Sequence, residues 1–446
     1  MTDDNKADSR IRFGLGAGLA LLGLLERLLL WLNYAPIEFA DTRSYLRLAS
    51  QLADGALAGF DGTRAPGYPV FLALLNMQAE RIWIAQLALG LGISLLLFWI
   101  VLRMTDNPIL AFAAGLLYDL IPGIFLFESN LLTETLSMFL IVLSYALLLS
   151  LRHQRRLGSG MTIAILAGVV VSLAGLVRPL FFLLSVWMLP FIWLLGSGGW
   201  KQRLLQSAAY CLPPLLLLGG WLFYMQQTFH VISPTAMGGY HMVQHTGVFF
   251  ELLPDEQAPI RDTYLKYRQE HIEERGTQAN TIWDAIPELQ QVTGLNFYSL
   301  SREMEDLSRQ LIWEHPDLYM RNVFKGWVDF WKAPVYWQPE KIDWQGLRVV
   351  LKGLAIAGRA LSLFGNALFL LLSAGVLVLP RLRRKLGITA AWWAIAGFIW
   401  LSSVAQTLVD HGDNPRFLIP VQMLVLLCVI IPSFHWAQAR QKEPQG

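Results

Sequence analysis

Apolar runs of roughly 20 residues, long enough to cross a bilayer, recur along this chain and constrain it more than any other feature. Ten are expected, at about 12–34, 82–103, 108–126, 131–151, 161–177, 180–196, 204–225, 355–379, 389–409 and 417–436. With 54% hydrophobic and only 15% charged residues, the 446-residue chain lies far from soluble-domain composition. Its 35 Lys and Arg nearly balance its 33 Asp and Glu, so no basic field points to nucleic acid. Cys211 and Cys428 each stand inside an apolar run, which excludes a disulfide or cysteine-zinc framework. The first run is too long for the apolar part of a signal peptide and lacks a small-x-small site after it, so it is read as a membrane helix.

Orientation follows from the short loops. With the N-terminus inside, inner segments carry fifteen Lys and Arg, among them Arg103, Arg155, Lys201 and Arg381; the short outer loops carry six, namely Arg43, Arg47, Arg64, Arg81, Arg178 and Arg416. This divides the chain into a membrane region at 1–225 with seven spans, an outer segment at 226–352, and a second membrane region at 353–446 with three. Two outer segments exceed connector length, 35–81 and 226–352, and loops of such size usually carry function. The second holds 17 acidic and 12 basic residues and reads as helices near 260–275, 297–313 and 316–331. The fold expected is an all-α polytopic membrane protein with a helical first outer loop and a larger helical outer insertion.

The first loop contains Tyr45, Leu48, Ala49, Leu52 and Ala56 at helical spacing with Arg43, Arg47, Gln51 and Asp54 opposite, an amphipathic helix expected on the membrane surface. Asp41 at its start serves either as an N-cap or as a carboxylate held at the lipid boundary for general-base work. Arg64 precedes a rigid turn, Pro66-Gly67-Tyr68-Pro69, and either snorkels or faces a ligand. LFESNLLTETLSMFL places Glu128 in the next outer loop and Glu134 just inside the following span, where a carboxylate requires a partner. Arg178-Pro179 closes another outer turn. DHGDNPRFLIP puts His411, Asp413 and Arg416 at the outer start of the last span. The shared address of these groups at one membrane face is the main functional signal.

His241 and His245 have a spacing that one helical face can offer to a metal, with no third ligand evident in the sequence. Glu26 and Arg27 read as an intramembrane pair or as snorkelling groups. Trp327, Phe330, Trp331, Tyr336 and Trp337 read as an interfacial belt or as rings that bear a sugar face.

The succession ADTRSYLRLASQL, RAPGYPVFLALL, ESNLLTETLSMFL, GLVRP and NPRFLIP resembles the GT-C integral-membrane glycosyltransferases. Within them it is most similar to the clan of protein O-mannosyltransferases, the lipid A aminoarabinose transferase and bacterial lipopolysaccharide-core sugar transferases. LIWEHPDLYMRNVFKGWVDFW resembles the amphipathic stretch before the later spans of bacterial members. The resemblance implies a polyprenyl-phosphate sugar as donor, a glycolipid, polysaccharide or protein hydroxyl as acceptor, and a site on the periplasmic face of a bacterial inner membrane. It makes Asp41 the catalytic base and Glu128 its helper, acceptor-binder or metal ligand. Donor phosphate contacts are expected from Arg64, Arg178, Arg416 and Lys325, and substrate contacts from Tyr68, Glu134, His245 and Asp413. Asp41 is followed by Thr42 where several members carry a second acid, so a divalent metal cofactor stays open. Two rival readings are a transporter or flippase of lipid-linked saccharides, and a glycan ligase or polymerase using pyrophosphate-linked donors.

Overall fold

The computed structural model describes residues 3–55, 59–152, 156–412 and 414–442. Among them the chain is all-helical, and eight helices are long and apolar enough to cross a membrane. The protein is a multi-pass helical membrane protein.

Helix α1 (Asp3–Asn33) enters the bundle, and the first long loop, expected on the outer side, folds into α2 (Ala40–Ala53) and α3 (Gly67–Leu74). After α4 (Ala79–Thr105), the third expected span is broken. It comprises α5 (Pro108–Asp119) and α6 (Pro122–Phe125), continued by a 3-10 turn to Ser129, with a bend of 63°. Pro122 explains the break, because it has no N–H to continue the ladder of α5. Then come α7 (Glu134–Leu151), α8 (Leu157–Val177), α9 (Phe182–Leu195) and α10 (Trp200–Phe229). The stretch Pro179–Leu195, expected as the sixth span, is apolar but shorter than the eight.

The segment at 226–352, expected on the outer side, contains α11 (Gly238–Thr246), α12 (Ala258–Arg275), α13 (Thr281–Thr293), α14 (Phe297–Glu314) and α15 (Pro316–Phe330). Its helices enclose an apolar core of their own, built on Tyr240, Phe250, Ile282, Leu289, Met304 and Leu311. The chain returns to the membrane region through α16 (Gln345–Val378), α17 (Pro380–Lys385), α18 (Ala390–Val409) and α19 (Asn414–Lys442).

Three local readings change. The apolar side of α2 is covered by protein rather than turned to lipid: Tyr45, Leu48 and Ala49 are buried, with Leu48 in a cluster that includes Phe60, Met225 and Phe229. Ala56 lies outside the described residues. The expected aromatic belt is largely internal, since Trp327 stacks on Trp400 at 5.8 Å and Trp331 lies 5.8 Å from Phe369. Tyr336 packs on Phe39 and Phe127, so these rings are core as much as surface.

Helices α11 and α14 meet backbone to backbone at Gly239, where a Cβ would lie 1.7 Å from the Ser301 carbonyl oxygen. No side-chain rotation relieves a clash with a main-chain atom. Gly239→Ala should therefore destabilise the outer segment by roughly 1–3 kcal/mol. Faster amide exchange across residues 238–311, with the membrane helices unchanged, is the expected readout.

Candidate active site

The start of α2 is fastened by a neighbour of Asp41, not by Asp41 itself. The Thr42 hydroxyl accepts the Phe39 N–H at 2.9 Å and donates to the Leu131 carbonyl at 2.9 Å. Ile37 and the 129–131 turn exchange main-chain bonds, Ile37 N–H to the Ser129 carbonyl at 2.8 Å and Leu131 N–H to the Ile37 carbonyl at 2.9 Å. The first loop is thus pinned to the exit of the broken span. Of the two readings of Asp41, the cap is not formed, and its carboxylate is turned toward arginines instead.

Arg64 Nη2 donates to Asp41 Oδ1 at 2.6 Å, while its Nε donates to the Ser44 hydroxyl at 2.9 Å. The guanidinium lies 4.6 Å above the Tyr45 ring. Arg416 approaches from the start of α19, giving Nη1 to Asp41 Oδ2 at 2.9 Å and Nε to Glu134 Oε1. Arg178 Nη1 stands 3.3 Å from the same Glu134 oxygen but is not aligned for a hydrogen bond. Its guanidinium lies 4.2 Å over the Phe417 ring. Glu134 is fully buried, and its Oε2 has no hydrogen-bond partner among the described residues. Three guanidiniums from separate parts of the chain therefore converge on two carboxylates. Burial pushes the Asp41 carboxyl up, but Arg64 and then Arg416 outweigh it and hold it below the ordinary carboxylate range.

A glycine allows this convergence. At Gly67 a Cβ would meet the Leu176 carbonyl carbon and the Val177 nitrogen at 2.6 Å, so α3 touches the end of α8 main chain to main chain. That contact brings the loop carrying Arg64 beside the turn carrying Arg178. Tyr68, expected to contact substrate, is fully buried behind the arginine: its ring meets Tyr45 edge-on at 5.1 Å and its hydroxyl donates to Gln86 at 3.0 Å. It braces the site.

Glu128 does not join Asp41. It accepts both Nε and Nη2 of Arg27, at 2.9 and 2.7 Å, and the Tyr118 hydroxyl at 2.7 Å. Arg27 also donates to Asp119 at 3.1 Å, and Ser94 donates to the other Asp119 oxygen at 2.9 Å. This second ion cluster is enclosed by α1, α4 and α5. Gly90 makes room for it, since a Cβ there would fall 1.9 Å from Glu128 Oε1. Arg27 is only distantly paired with Glu26, at 4.0 Å. The bend at Pro122 is the reason: it turns Glu128 back into the bundle, so that Glu134, which opens α7, reaches Asp41's neighbourhood.

The remaining candidates gather where the outer segment meets α18. His241 Nδ1 is 3.1 Å from Asp410, His245 lies 5.4 Å ring to ring from His411, and His411 Nε2 is 3.6 Å from Asp329. Lys325 is exposed on α15 near His411, apart from the arginine cluster. Asp413 lies outside the described residues. Among the described residues no group of three His, Cys, Asp or Glu is placed to hold a metal ion.

Burial of His245, aided by His411, lowers its imidazole to about 4. Its unfolded value is about 6.5, so the folded state disfavours the proton. Stability is complete above pH 6.5 and falls as pH drops toward 4, by roughly 2 kcal/mol at pH 5. Thermal unfolding of the purified protein at pH 7 and pH 5 should show that loss, and His245→Phe should flatten the slope. No family model matches the chain, and no curated protein matches it in sequence.

Proposed function

We propose that the protein is a GT-C type inverting glycosyltransferase of the bacterial inner membrane. It moves a sugar from a polyprenyl phosphate to a hydroxyl of a cell-envelope acceptor on the extracytoplasmic face. The convergence of Arg64, Arg178 and Arg416 on Asp41 and Glu134 carries this reading. Phosphate esters are held best by guanidinium forks, and a leaving phosphate at a lipid boundary requires positive charge more than it requires an acid.

On this mechanism the donor phosphate draws the forks of Arg64 and Arg416 away from Asp41. Loss of their compensation, together with the adjacent anion, raises the Asp41 carboxylate toward useful basicity. Asp41 then takes the proton of the acceptor hydroxyl as its oxygen bonds to the anomeric carbon. The bond from that carbon to the phosphate oxygen breaks, and both its electrons leave with the polyprenyl phosphate. Inversion requires only this one base. The unpartnered Glu134 Oε2 is suited to accept a second hydroxyl of either sugar.

The Arg27–Glu128–Asp119 cluster favours a second reading, a transporter or flippase of lipid-linked saccharides, because ionised groups packed between spans commonly mark a pathway. Reconstituted protein given a radiolabelled polyprenyl-phosphate sugar and envelope acceptors separates the two. Transfer predicts label in a new glycosidic bond and a loss of a hundredfold or more in Asp41→Asn, with donor binding retained. Arg64→Lys and Arg416→Lys keep the charge but lose the fork, so both should weaken donor binding. Movement of intact donor across the bilayer, insensitive to Asp41→Asn, would establish the transporter instead.

Orientation has its own test. Asp54 and Glu274 are exposed in the two outer segments. Cysteines at both should react with an impermeant reagent in spheroplasts; labelling of one alone overturns the topology.

A further inference from the structure

Arg359 stands on α16 four residues past the expected start of this span at about 355, roughly 6 Å along the helix. It is exposed, and it makes no hydrogen bond or ion pair among the described residues. Its surroundings on the helix are lipid-facing: Ile356 is 74% and Phe364 62% exposed. A guanidinium at this depth reaches headgroup level, where an anionic phosphate can meet it.

Beside it lies a small cleft with room for about one water-sized group, lined by Arg359, Ser362 and Gln422 with Ile121, Gly123 and Val335. The polar wall of this cleft has a defined direction. Asn366 Nδ2 donates to the Trp331 carbonyl at 2.8 Å, so Asn366 Oδ1 must face Gln422, whose Nε2 donates to it at 2.7 Å. That leaves Gln422 Oε1 as an acceptor without a partner, on a side chain only 1% exposed. A buried acceptor of this kind is paired in nearly all proteins.

The cleft therefore makes two demands at once, an anion for Arg359 and a hydrogen-bond donor for Gln422. Its volume suits a single hydroxyl group, while acyl chains have Ile356 and Phe364 to lie on. We propose that Arg359, Ser362 and Gln422 form a binding site for an anionic phospholipid with a hydroxyl-bearing headgroup, of the phosphatidylglycerol type. The phosphate sits on Arg359, and a headgroup hydroxyl donates to Gln422 Oε1. None of these three residues belongs to the arginine cluster around Asp41. Gln422 is six residues beyond Arg416 on α19 and faces a different side of that helix. The site is independent of the sugar-transfer reading.

The test is titration of the purified full-length protein in detergent with a fluorescent short-chain phosphatidylglycerol. Arg359→Gln changes an exposed side chain and should fold, as circular dichroism and gel filtration would verify. It should weaken binding roughly tenfold, whereas Arg321→Gln on α15 should leave binding unchanged. Gln422→Leu should weaken it severalfold. Phosphatidylcholine, which has neither net charge nor a donor, should bind poorly, and millimolar inorganic phosphate should not displace the lipid. Wild-type affinity in Arg359→Gln, or equal affinity for phosphatidylcholine, overturns the proposal. Displacement by inorganic phosphate overturns the lipid as its ligand.

Discussion

A carboxylate placed among spans cannot call on water, so it must be met by a cation or lose its charge. Much of the end of the bundle that carries the first long loop is arranged around that requirement at Glu134. The residue is fully buried, and two arginines approach one of its oxygens, Arg178 from the end of α8 and Arg416 from the start of α19. Arg416 in turn reaches Asp41 and so couples the first outer loop to the last span. Removing Glu134 would leave Arg178 without a carboxylate and Arg416 held by Asp41 alone, a larger disturbance than the loss of one pair.

The inner cluster follows the same rule with the signs reversed. Arg27 is one cation enclosed by Glu128 and Asp119, with Glu26 at the margin. The two clusters are linked covalently by a short path, since Glu128 and Glu134 bracket the turn that leaves the broken span and enters α7. Thr42 and Ile37 hold that turn from the side of the first loop. The strongest polar contacts near Asp41 therefore belong to two neighbouring networks that share a segment of main chain.

Much of this was legible in the amino-acid order. Eight of the ten expected spans overlie helices long enough to cross a bilayer, because twenty apolar residues in succession leave a chain few alternatives; the third is broken at Pro122 and the sixth is short. Arg64, Arg178 and Arg416 were identifiable from their place in loops expected on one membrane face, near prolines, and they do meet. What the order of residues did not reveal is which acid they meet. Glu128 and Glu134 lie close together in sequence with similar surroundings, and only the direction of the bend at Pro122 distinguishes them. The partner of Arg27 stands 101 residues away, beyond the reach of any local pattern. The apolar face of α2 would look the same whether lipid or protein covered it, and Phe60 and Phe229 cover it through contacts that no periodicity encodes.

The bare main-chain contact at Gly67 has a consequence for how this protein can vary. Most packing interfaces are adjustable: a side chain is trimmed or lengthened, and the neighbours settle to a new spacing. Here hydrogen is already the smallest substituent, so the joint between α3 and α8 has no slack to give up. Every replacement pushes the two helices apart, and with them the supports of Arg64 and Arg178. The spacing of those two guanidiniums is thus a lower limit set by backbone contact, one that substitution at this position can widen but never narrow.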